Sequence, residues 1–92
     1  MLIRILGEGQ FVVPDSELEE INRLDRDLER ALTSTGYNFQ QALDALLDKV
    51  RTVGSRPPEH EYEESQVILP FADASEDDVR DMLSEDGLVP GL

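Results

Sequence analysis

Cysteine and tryptophan are absent from this 92-residue chain, and there is a single histidine. Without cysteine there is no disulfide and no thiolate nucleophile or metal ligand. The one imidazole, His60, sits between Glu59 and Glu61 in a polar stretch, so no Ser-His or Cys-His pair can be assembled from the pattern, and a solvated surface histidine is the reading it supports. Basic residues are scarce too: 8 Lys and Arg face 21 Asp and Glu, for a formal net charge of −13. Long hydrophobic runs are also missing. Leu2-Ile3-Arg4-Ile5-Leu6 is too short for a signal-peptide core or a membrane span, and the expected location is the cytoplasm.

The charge is unevenly spread. Arg4, Arg23, Arg26, Arg30, Lys49, Arg51 and Arg56 all precede residue 57, and Arg80 is the one base beyond it. A surface of this sign repels phosphates, which disfavours nucleic acid and direct binding to an anionic membrane leaflet. A partner bearing a basic patch would be drawn in, most strongly at low salt.

A chain of this length folds as one domain, expected to span 1–92, burying roughly 60–65% of its unfolded surface, which leaves little room for a large enclosed active site. Leu2–Leu6 and Gln10–Val13 read as two antiparallel strands around Gly7-Glu8-Gly9. A helix follows, with Ser16 and Glu19 as a capping box and Leu18, Ile21, Leu24, Leu28, Ala31 and Leu32 on one face. Asn38 and Gln41 open a second helix with an apolar stripe of Phe39, Ala42, Leu43, Leu46, Leu47, Val50 and Val53, closed by Gly54. The two helices are expected to pair antiparallel and pack on the strands. Residues 54–65 read as an exposed acidic, proline-containing linker. Val67–Leu69 is a candidate third strand beside the N-terminal pair, and Ser75 with Asp78 starts a short third helix carrying Val79, Met82 and Leu83. The fold class is α+β: an N-terminal β-hairpin packed on a two-helix hairpin, with a short third helix near the C-terminus.

The pattern offers no enzyme chemistry. The best calcium-loop candidate, starting at Asp73, has Asp78 where the sharp turn needs glycine and Ser84 where the bidentate acid belongs. Gly7-Glu8-Gly9 lacks the third glycine of a dinucleotide fingerprint, because Val12 stands there within a strand. No catalytic residue, cofactor or metal site is expected. Two interaction candidates remain. Arg23, Arg26 and Arg30 form a basic strip opposite the apolar stripe of the first helix, with Glu19 and Asp27 in reach for ion pairs. Phe71, Leu88 and Val89 either close the core or leave an apolar docking patch.

The opening Met1-Leu2-Ile3-Arg4-Ile5-Leu6-Gly7-Glu8-Gly9-Gln10-Phe11 resembles one end of the PspA-associated (PspAA) family. The closing Val67-Ile68-Leu69-Pro70, Ala72-Asp73-Ala74-Ser75, Val79-Arg80, Leu83 and Gly87-Leu88-Val89-Pro90-Gly91 resemble the other. The likeness covers essentially the whole chain; Phe11, the acidic linker and Phe71 are places where the family is expected to vary. It implies a non-enzymatic adaptor that acts in the envelope (phage-shock) stress response. Its partner would be a PspA-type coiled-coil protein, which would also recruit it to the inner face of the membrane. A weaker similarity links Thr35-Gly36-Tyr37, followed by Ala42, Leu43, Leu46 and Leu47, to ubiquitin-associated-like helical modules that bind proteins. That likeness lacks the loop methionine and leaves the N-terminal hairpin unexplained.

Overall fold

A computed structural model describes residues 1–33, 38–56 and 67–82. Alternation of apolar and polar residues builds the first strands: β1 is Leu2–Ile5 and β2 is Gly9–Val12, paired antiparallel with Ile3 opposite Phe11 and Ile5 opposite Gly9. The turn between them needs backbone that L-residues avoid, with φ of +85° at Gly7 and +108° at Gly9, which explains its two glycines. The third strand expected at Val67–Leu69 forms, as β3, and pairs parallel with β1, so the sheet order is β2-β1-β3. The N-terminal strand is therefore central, and the Leu6 amide donates to the Leu69 carbonyl at 3.0 Å to extend the ladder.

The first helix begins differently from the expected capping box. A 3-10 turn at Asp15–Glu17 follows Pro14, and α1 runs over Leu18–Thr33. Ser16 lies inside that turn, so it lacks the extended backbone of an N-cap, and the Glu17 amide bonds the Pro14 carbonyl instead. The second helix, α2, spans Phe39–Val53 and starts as its sequence indicates, with the Asn38 side chain accepting from the Gln41 amide at 3.0 Å. Gly54 closes α2 with an ordinary φ of −83°, so its smallness has another cause. A Cβ there would lie 2.6 Å from the Val50 carbonyl oxygen and 2.8 Å from the Phe11 Cβ, so glycine lets the helix end press against β2. Helix α3, Glu76–Met82, carries a reciprocal cap in which the Asp78 amide donates to Ser75 Oγ at 3.2 Å and the Ser75 amide donates to Asp78 Oδ2 at 3.1 Å.

One face of the sheet (Ile3, Ile5, Phe11, Val67 and Leu69) meets Leu18, Ile21, Leu28 and Leu32 of α1 and Leu43, Leu46, Leu47 and Val50 of α2 in a single core that Val79 of α3 joins. At ~1.5–3 kcal/mol per fully buried large aliphatic side chain, this cluster is the main favourable term holding the chain together. Two buried residues of α1, Asn22 and Asp25, are polar. The sheet sets this architecture apart from an all-helical ubiquitin-associated-like module; the Thr35-Gly36-Tyr37 segment lies outside the described residues.

Gly54→Ala is expected to destabilise the fold by about 1–3 kcal/mol, because the added methyl meets backbone and a packed ring rather than a movable side-chain end. Asn38→Ala is expected to cost ~1 kcal/mol by freeing the Gln41 amide. Urea unfolding followed by circular dichroism measures both, and an unchanged midpoint for Gly54→Ala would contradict the close approach of α2 to β2.

Candidate functional site

The Gly7-Glu8-Gly9 turn, phosphate-loop-like only in its letters, is held by side chains from the end of α2. Arg51 donates through Nε to Glu8 Oε1 at 2.7 Å and through Nη2 to Glu8 Oε2, while its Nη1 reaches Asp48 Oδ1 at 2.6 Å. Arg56 donates to the Glu8 carbonyl oxygen at 2.6 Å and lies over the Phe11 ring, 4.4 Å from its centroid. Hydrogen bonding from Arg51 holds the Glu8 carboxyl below its ordinary pKa of 4.5, against a partial desolvation that acts the other way. Gly54 to Arg56, assigned to the linker from the sequence, thus belong to the packed structure. Ser55 also bridges Val12 through paired backbone hydrogen bonds of 2.7 and 2.9 Å. Linker residues 57–65, with His60, lie outside the described residues.

The arginine strip of α1 is exposed, but acids interleave it. Arg23 hydrogen-bonds Glu20, rather than Glu19, and lies 3.4 Å from Asp27, which is also 3.5 Å from Arg30. Arg26 makes no ion pair among the described residues. Three arginines against Glu20 and Asp27 leave a net charge of +1, so the strip projects little positive potential.

Phe71 follows the buried Pro70 at the end of β3 and is 50% exposed. One edge of its ring lies so close to the turn that a Cβ on Gly7 would sit 2.9 Å from two ring carbons. The rest of the ring joins Leu6, Pro70, Ala74 and Met82 around a groove of about 330 Å³ whose rim carries Asp78 and Asp81. Two long-range bonds fix the walls. Arg80 of α3 donates to the Leu32 carbonyl at 2.9 Å, satisfying an orphan carbonyl at the end of α1, and Gln40 of α2 donates to the Ala72 carbonyl at 3.2 Å. Leu88 and Val89, the other members of the apolar candidate, lie outside the described residues. The strip and Phe71 were marked by the sequence as separate features, and the structure keeps them on separate surfaces: α1 and the β3–α3 corner. Of the groove's lining, the sequence marked Phe71 alone as a binding candidate; Leu6, Pro70, Ala74, Asp78, Asp81 and Met82 were not so marked, and the signal available was the outward alternation of Leu2, Arg4 and Leu6 in β1 and its extension.

Among the described residues, no group of three or more His, Cys, Asp or Glu is placed to hold a metal ion, and no helix is long and apolar enough to cross a membrane. The fold and surface define a small α+β domain whose three-stranded sheet is backed by a helical hairpin and whose C-terminal corner carries an acid-rimmed apolar groove. The chain belongs to the PspA-associated protein family (PspAA), whose sequence model matches residues 1–91. No curated protein and no solved structure matches the chain.

The lowered pKa of Glu8 gives its pairing a pH signature. Stabilisation by the Glu8–Arg51 pair is present above the unfolded value near 4.5 and is lost as the pH falls through the lower folded value. Glu8→Gln is expected to lower stability by about 1 kcal/mol at pH 7, a charge-assisted bond discounted for its partial exposure, with the gap between the two proteins narrowing on acidification below about pH 4.5. Denaturant titrations from pH 7 down into the acid range check this, and a gap that does not narrow at all as the pH falls below about 4.5 would refute the charged pairing.

Proposed function

We propose that this protein is a non-enzymatic adaptor that binds a PspA-type coiled-coil protein and reaches the cytoplasmic face of the membrane through that partner in the envelope-stress response. The observation that carries the reading is the family match over residues 1–91. Physical chemistry supports it from two sides. A net charge of −13 makes direct association with phosphate-rich surfaces unfavourable, while attracting a protein surface with lysine and arginine along its helices. Among the described residues, most of the large aliphatic side chains are taken up by one core, which leaves a polar, largely acidic exterior for contact with another protein. The strip on α1 is poorly suited to be the grip, since its own acids neutralise two of its three bases.

Calorimetric titration of the protein into a PspA-type partner tests the reading. A saturable complex that weakens several-fold between about 50 and 300 mM salt is expected, with Arg26→Glu changing the affinity by no more than about twofold, as for an exposed charge away from the contact. Absence of a complex at low salt would defeat the proposal, and a large loss with Arg26→Glu would move the contact to α1.

A further inference from the structure

We propose that the groove at the β3–α3 corner is the docking surface, and that its occupant is an amphipathic helix presenting a large apolar side chain flanked by lysine or arginine. The inference rests on the partner-binding reading above and assigns it a place on the molecule.

Shape and rigidity come first. The groove, about 330 Å³ and apolar along Leu6, Pro70, Phe71, Ala74 and Met82, has room for one or two large side chains, in the manner of a helix laid into a hydrophobic groove. Phe71 is half-exposed yet seated, because its ring rests against the bare backbone of Gly7. A fixed aromatic with one free face loses little conformational freedom on binding, which is the usual character of an interface anchor. The walls are held by Arg80 bound to Leu32 and Gln40 bound to Ala72, so the cleft exists before any partner arrives.

Charge then selects the occupant. Asp78 and Asp81 stand on the rim, and Asp73, Glu76 and Asp77 are exposed close by in the chain. Arg80 is the one base of α3, and it points to the Leu32 carbonyl and to the acids of its own helix. An acidic or neutral helix would bring like charge or nothing to that rim, whereas one with Lys or Arg beside its apolar ridge meets complementary charge at each edge.

The test is a calorimetric titration of the full chain and three variants into a PspA-type partner. It is repeated with a synthetic 20-residue helix bearing a leucine ridge flanked by lysines. Phe71→Ala is expected to weaken both interactions at least tenfold, the loss typical of a central aromatic anchor. Asp81→Lys, at an exposed position on the rim, is expected to weaken them about three- to tenfold and to flatten their salt dependence. Val12→Thr, at an exposed apolar site on the far side of β1, should leave both unchanged. NMR of the free and bound protein provides an independent readout, with the Phe71 ring and Met82 methyl signals shifting on complex formation.

A complex with the partner that tolerates both Phe71→Ala and Asp81→Lys would overturn the groove and leave the adaptor reading standing. No complex with the partner would sink both. Phe71 and Met82 signals that shift in the free protein with Leu88→Ser/Val89→Ser, or with protein concentration, and not with the partner, would give the groove to the chain's own C-terminal end or to a second copy. Either result would overturn the proposal.

Discussion

Parallel pairing of β3 with β1, extended by the hydrogen bond from the Leu6 amide to the Leu69 carbonyl, joins the two ends of the described chain. The two strands are separated by the whole helical hairpin, and closing so long a loop costs conformational entropy before any contact is made. Burial of Ile3, Ile5, Val67 and Leu69 against both helices offsets that cost. Everything at the β3–α3 corner follows from this pairing: Pro70 turns inward at the end of β3, Phe71 meets the glycine turn that ends β1, and Val79 of α3 enters the common core.

Electrostatics have a local and a global part in this account. Locally, the Glu8 carboxylate is paired by Arg51 while Arg56 binds its backbone, and this fixes the turn against the end of α2. That same turn supplies the floor under Phe71, so the arginines act on the groove at one remove by positioning the glycines. Globally, the bases that the chain does possess are largely occupied within the fold, which leaves the outer surface to carboxylates.

Much of the architecture could be read from the residues. The helices showed through the spacing of Ile21, Leu28 and Leu32 and of Leu43, Leu46, Leu47 and Val50, because burial on one face imposes that period. Asn38 and Ser75 marked helix starts because short polar side chains reach amides that have no partner within the helix. Non-local contacts were hidden. Nothing in Val67-Ile68-Leu69 states that it pairs parallel, nothing near Glu8 names a partner 43 residues away, and Gly54 read only as a helix stop when its task is also close approach to Phe11. The burial of Asn22 and Asp25 broke the apolar pattern and went unforeseen for the same reason, since periodicity registers hydrophobic faces and is blind to polar groups inside them. Phe71 was legible as a lone aromatic, but its setting depended on the fold bringing Leu6 and Met82 to it.

Residue-resolved hydrogen exchange tests the account's central claim most directly. If β1 is the shared strand, the Leu6 amide, bonded to Leu69, must exchange only through global unfolding, as slowly as the amides of the α2 core at Leu46 and Leu47. A Leu6 amide that exchanges at the rate of an open turn while α2 remains protected would show that the C-terminal segment is not held on the N-terminal hairpin, and the groove built between them would have no foundation.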